Sequence, residues 1–144
     1  MANENEIGKW RKYNAEMEIY EQLRDAVMED ARSAGMSEKK LNTLELGVEE
    51  IAVNIISYAY EKAGPLWVRT SMGDGLFRLE FADHGRHFDP LAEDMRHTDG
   101  VPTEEQAEGG YGIFLVKQFF SSVTYRYEEM FGEMANHLTM ELLL

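Results

Sequence analysis

The chain has 144 residues, 44% of them hydrophobic, with a formal net charge of −13 and no cysteine. That length sustains one core of ordinary size and not two. The missing cysteines exclude a disulfide framework and thiolate zinc sites, and the charge opposes binding to a nucleic-acid backbone, for which no basic patch compensates. Met1 to Lys9 are polar and acidic, with no apolar run that could serve as a signal sequence or membrane span. The expectation is therefore one cytoplasmic domain over residues 1–144, without membrane or nucleic-acid contact.

In chain order, Ile7 to Tyr13 reads as a short strand. Met17, Tyr20, Leu23, Val27 and Ala31 recur at helical spacing and predict a helix from about Ala15 to Ser33, stopped before Gly35. Ser37 is a natural N-cap for a second helix reaching about Glu61, where Gly64 and Pro65 end it. Strands Leu66 to Ser71 and Leu76 to Ala82 flank Gly73, Asp74 and Gly75, the composition of a hairpin turn. Asp83 to Glu108 is polar and aperiodic, a long loop with a short helical turn near Leu91. A third helix follows Gly109 to Gly112 and runs to about Phe120, and strands near Val123 to Glu128 and Asn136 to Leu143 close the chain. This order predicts an α+β fold, a two-layer sandwich in which helices cover one face of a mixed, mostly antiparallel sheet.

On a helical wheel at about 100° per residue, the second helix gathers Leu41, Leu44, Val48, Ile51, Ala52, Ile55 and Ala59 on one arc and Leu46, Val53 and Ile56 on another. Between them runs a polar strip of Gly47, Glu50, Asn54 and Ser57. A carboxylate and an amide one turn apart in a partly desolvated groove need partners. Plain exposure of Glu50 and a loop contact for Asn54 would serve. So would a functional pair in which the Asn54 amide oxygen meets a hard cation and Glu50 handles a nucleophile's proton.

Two glycine segments follow. Asp83 ends a hydrophobic strand and Gly85 comes two residues later. The carboxylate can accept a hydrogen bond from the exocyclic amine of adenine while the glycine leaves room for a flat base, although the same residues also make an ordinary turn. Gly109, Gly110 and Gly112 lead into an apolar helix beginning Ile113-Phe114-Leu115-Val116, and backbone amides at such a start favour an anion. The spacing is that of neither a P-loop nor a dinucleotide fingerprint.

Taken together, Glu49-Glu50-Ile51-Ala52-Val53-Asn54, Asp83-His84-Gly85-Arg86-His87-Phe88-Asp89-Pro90 and Gly109-Gly110-Tyr111-Gly112-Ile113 resemble the boxes of the histidine-kinase-like (Bergerat) ATPase domains, and within them the anti-sigma factor serine/threonine kinases. The resemblance implies Mg-ATP as cofactor. Asn54 would coordinate Mg²⁺ and Glu50 would act as the catalytic base. Asp83 and Gly85, with Phe88, would hold adenine, Gly109, Gly110, Gly112 and Ile113 the phosphate side under a lid at about 90–110, and Thr139 would support the base through water. It also implies phosphorylation of a serine on an anti-anti-sigma (STAS-like) partner, sequestration of a sigma factor, and a homodimer. Departures from the family pattern are Tyr58, where a histidine is frequent, His87, where glycine or proline is common, and Ser121 or Ser122 for an acidic residue. The alternative is a non-catalytic module of the same fold whose ATP merely orders the lid. The catalytic half of a histidine kinase is disfavoured, because the first helix is short and holds no histidine.

Overall fold

The computed structural model describes residues 8–92 and 111–144. The elements are strand β1 (Arg11–Asn14), a 3₁₀ turn (Met17–Ile19), helices α1 (Tyr20–Ser33) and α2 (Glu38–Tyr58), strands β2 (Pro65–Gly73) and β3 (Leu76–Asp83), helix α3 (Tyr111–Phe119), and strands β4 (Ser122–Met130) and β5 (Glu133–Leu143). The strands form one sheet in the order β1-β2-β3-β5-β4. The expected architecture holds, and every pairing is antiparallel rather than mixed.

The two hairpins explain that regularity. Asp74 and Gly75, and again Phe131 and Gly132, adopt positive φ. Two successive left-handed residues match the twist of antiparallel strands. The second turn lets β4 and β5 pair from Met130↔Glu133 onward, so they close the stretch the sequence left between Glu128 and Asn136.

Strand alternation divides the sheet. Leu66 and Val68, Phe77, Leu79 and Phe81, and Leu138, Met140 and Leu142 point to the helices, where Leu23, Val27, Leu44, Val48, Ile51 and Val116 meet them in one core. Arg69, Glu80, Arg78, Glu141 and His137 face the other way. Arg69 grips Glu80 through two hydrogen bonds of 2.8 and 2.9 Å, and His137 bridges Glu80 and Glu128 at 2.9 and 2.7 Å. At the edge of this face Phe131 stacks on Trp67 at 4.2 Å.

Helix boundaries move for local reasons. The Ala15 amide donates to the Gly64 carbonyl, so the chain finishes its turn away from the sheet before α1 begins at Tyr20, not Ala15. Ser37 caps α2 as expected, accepting from Lys40 N–H at 3.3 Å. The helix ends at Tyr58 rather than Glu61 because the Ala59 carbonyl accepts from Arg86 N–H. The Tyr60 hydroxyl at the same time donates to Pro65 O at 2.6 Å and accepts from His84 N–H at 2.7 Å. One buried charge ties the layers: Asp30 of α1 accepts from Thr70 Oγ1 at 2.7 Å and lies 2.8 Å from Arg11 Nη1.

Candidate functional site

A cavity of about 290 Å³ opens between the C-terminal half of α2 and the ends of β3, β4 and β5. Ile51, Ile55, Phe81 and Leu138 make it largely apolar, and Asn54, Asp83, Asn136 and Tyr125 supply the polar groups. A concave, largely apolar cavity with a few convergent polar atoms is the usual form of a small-molecule site.

At one end is the polar strip of α2. Asn54 Nδ2 donates to Glu50 Oε2 at 3.0 Å, the i, i+4 spacing of one helical turn. With its nitrogen so engaged, the amide presents its oxygen elsewhere, which suits a hard cation. Burial pushes the Glu50 carboxyl above the usual carboxylate range, the Asn54 hydrogen bond partly opposing it. A carboxylate raised in this way is a better proton acceptor. The rest of the strip diverges: Gly47 is packed against Phe120 and Met140, and Ser57 faces solvent.

Glu50 also meets the start of α3. A Cβ on Gly112 would lie 1.9 Å from Glu50 Oε1 and 2.1 Å from Cδ. Gly112 is thus the residue that lets α3 close on the carboxylate. Gly109 and Gly110 lie outside the described residues, as does most of the expected lid.

At the other end, Asp83 is 4% exposed. Its Oδ1 accepts from Gly85 N–H at 2.8 Å and from Asn136 Nδ2 at 3.0 Å. Burial raises its carboxyl above the ordinary value, more than those bonds and the nearby His84 lower it. Gly85 is required for a reason the sequence did not reveal: a Cβ there would stand 2.4 Å from Ala59 O, at the end of α2. Phe88, 42% exposed, lines the mouth with Arg86 and Tyr58. Arg86 sits by its backbone bond to Ala59, more than a turn beyond Asn54 along α2, and not at the Gly112 end.

Two expected site residues are placed elsewhere. Thr139 lies on the open face of the sheet with His137, Arg69 and Arg126, because residues three apart in a strand face opposite ways and it is Asn136 that faces Asp83. Ile113 is 3% exposed and belongs to the core, its side chain taken by α3 packing. The residues missed were Asn136 and Tyr125. The inward parity of Leu138, Met140 and Leu142 is the signal that would have picked the first.

Among the described residues no cluster of three acidic, histidine or cysteine side chains could hold a metal. A cation here would depend on Asn54 and on oxygens supplied by its ligand and water, the coordination magnesium favours. No described helix is long and apolar enough to cross a membrane.

An antiparallel sheet backed by helices on one face, with Asn54 of α2 and the buried strand-end Asp83 lining one slot, defines a two-layer α+β domain with a ligand-sized site between its layers. The histidine kinase-like ATPase domain family matches residues 13–142, and the chain belongs to that family. It is 26% identical over 100 residues to the serine-protein kinase RsbW of Oceanobacillus iheyensis, an alignment spanning 65% of this chain and 62% of the relative. A chain of the crystal structure of the SiaB–SiaC complex from Pseudomonas aeruginosa shares the fold, with a TM-score of 0.63 at 14% identity, covering 92% of this chain and 88% of that one.

Proposed function

We propose that the protein is an ATP-binding regulator of the anti-sigma type, a serine/threonine kinase that phosphorylates an anti-anti-sigma (STAS-like) partner and sequesters a sigma factor, acting as a homodimer. The observation carrying this reading is one cavity lined by both the buried Asp83 and Asn54, the latter bonded to Glu50 beside it. Those are the two ends an adenine nucleotide needs, an acceptor for the amine of the base and an oxygen donor with a base near the phosphates.

In this reading Asp83 accepts from the exocyclic amine, Phe88 and the apolar walls enclose the ring, and Asn54 offers its oxygen to Mg²⁺, which would neutralise phosphate charge. Glu50 takes the proton of the partner's serine as its oxygen bonds to the γ-phosphorus and ADP leaves with the bridging oxygen. Gly109, Gly110 and the amides at the start of α3 complete the phosphate side. The likeness to a serine-protein kinase supports the transfer step.

The test pairs Glu50→Ala with Asp83→Asn. Asp83→Asn keeps an acceptor for Gly85 and Asn136 but turns the second oxygen into a donor. It should melt no lower than wild type, since an acid held above its ordinary pKa destabilises the folded state. It should also lose the Mg-ATP-dependent rise in melting temperature. Glu50→Ala should bind Mg-ATP yet transfer no labelled phosphate to the partner serine. Transfer undiminished in Glu50→Ala refutes the base, whereas binding without transfer in the wild type favours the non-catalytic alternative.

A further inference from the structure

Asn136 uses both of its polar atoms inside the protein. Nδ2 donates to Asp83 Oδ1 at 3.0 Å and to Arg86 O at 2.8 Å. Oδ1 accepts from Phe88 N–H at 3.1 Å and from the Tyr125 hydroxyl. An amide side chain has two donors and two lone pairs, so these four bonds exhaust it and leave nothing with which to touch a ligand. Its partners, however, are three walls of the cavity: the carboxylate on the floor, the loop carrying Arg86 and Phe88, and the Tyr125 ring.

The pattern on Asp83 is equally informative. Both bonds that hold it, from Gly85 N–H and from Asn136, end on Oδ1. The second oxygen is left as the acceptor. Fixing Oδ1 from two directions fixes where Oδ2 points, and a buried carboxylate of fixed orientation discriminates between a donor and an acceptor placed opposite it.

Resting on the reading of the cavity as an adenine-nucleotide site, we propose that Asn136 is its positioning and specificity residue. It acts through Asp83 to select a purine bearing an exocyclic amine over one bearing an oxo group at the same place. The role expected of a threonine in the last strand thus falls to a residue three positions earlier, bonded directly to the carboxylate and to the loop.

Asn136→Asp and Asn136→Ser, checked by thermal melting for folding, would be titrated with Mg-ATP and with Mg-ITP, whose oxo group replaces the amine. Asn136→Asp keeps the acceptor for Phe88 and Tyr125 while removing the donor to Asp83. The smaller Asn136→Ser relieves the new pair of carboxylates should that variant fail to fold. The wild type should prefer ATP by at least about tenfold, and each folded variant should lose most of that preference, chiefly through weaker ATP binding. Equal weakening for both nucleotides, or an unchanged ratio, overturns the proposal and leaves Asn136 a structural residue. A wild type that binds neither nucleotide overturns the reading of the cavity itself.

Discussion

Gly112→Ala separates the glycines a fold needs from those a site needs. Gly112 is the second residue of α3 and its φ is not in the left-handed region. Alanine is therefore acceptable to the backbone and favours the helix by up to about 1 kcal/mol. The new methyl meets Glu50 first. Its three nearest atoms are Glu50 Oε1 at 1.9 Å, Cδ at 2.1 Å and Oε2 at 2.8 Å, the far end of a side chain that can swing away. When it swings, the 3.0 Å bond from Asn54 is lost. A hydrogen bond to a charged group contributes about 1.5–3 kcal/mol, and the half-buried setting puts this one toward the lower value. The net expectation is a loss of about 0.5–2 kcal/mol, a drop of a few degrees in melting temperature.

The same change made in Glu50→Ala has no carboxylate to displace. There Gly112→Ala should be neutral or stabilising by up to about 1 kcal/mol. The coupling between the two sites in a double-mutant cycle, read from denaturant unfolding, should be about 1.5–3 kcal/mol. If Gly112→Ala destabilises both backgrounds alike, the contact with Glu50 is not what demands a glycine, and the reasoning fails without any assay of activity.

Gly47→Ala should behave oppositely: its Cβ would meet Phe120 Cζ at 2.7 Å and Met140 Cε at 2.8 Å, so overpacking should lower stability by about 1–3 kcal/mol in urea unfolding, with or without Glu50. Arg11→Leu strands the buried Asp30 charge and should lose about 3–5 kcal/mol, whereas Arg11→Leu with Asp30→Leu should recover most of it. The pair is a weak stabiliser to begin with, because Asp30 Oδ1 is buried without a hydrogen bond. On the open face, the Glu80 hydrogen bond, joined by Glu128, holds the His137 imidazole above its ordinary pKa of 6.5. The stability it contributes is complete below 6.5 and disappears as pH rises through the raised value. His137→Gln should therefore melt a few degrees below wild type at pH 6 and converge on it at higher pH. Burial pushes the Glu80 carboxyl up, but His137 and Arg69 outweigh it and hold it at about 2, so its contribution is lost as pH falls from 4.5 through that value.

What could be read in advance follows from periodicity. A helix repeats every 3.6 residues whatever lies beside it, so the Ser37 cap, the inward arcs of α2 and the Glu50–Asn54 strip were all legible. Asp83 was legible because a carboxylate closing an apolar strand breaks the pattern. What depends on long-range register was not. Asn136 and Asp83 are opposite each other through the β3–β5 register, a pairing between strands that are far apart in the chain and that no local turn sets; parity gives the face of Asn136 but not its partner. Thr139 was assigned through the family resemblance, against the parity that Leu138 and Met140 impose. Gly85 looked like room for a base, and its nearest obstacle is the Ala59 carbonyl, a contact between segments 26 residues apart.

Asp83 of the cavity and Glu50 beside it are tuned in the same way. Glu50 and Asp83 stand on different elements, yet burial raises both above the ordinary range and an asparagine holds each, Asn54 the first and Asn136 the second. An asparagine is a suitable neighbour for a buried acid that must stay chemically available. Its NH₂ satisfies one oxygen without adding the positive charge that would pull the pKa back down and neutralise the group. An arginine would do that, as Arg69 does for Glu80 on the opposite face, where the carboxylate is held ionised and locked in place. The Glu80 pair on the open face and the Arg11–Asp30 pair under the helices thus hold their acids by cations, whereas Glu50 and Asp83, beside and within the cavity, are held by neutral amides. That difference leaves carboxylate capacity for a ligand at Glu50 and Asp83, and it makes their surroundings the place to look for chemistry.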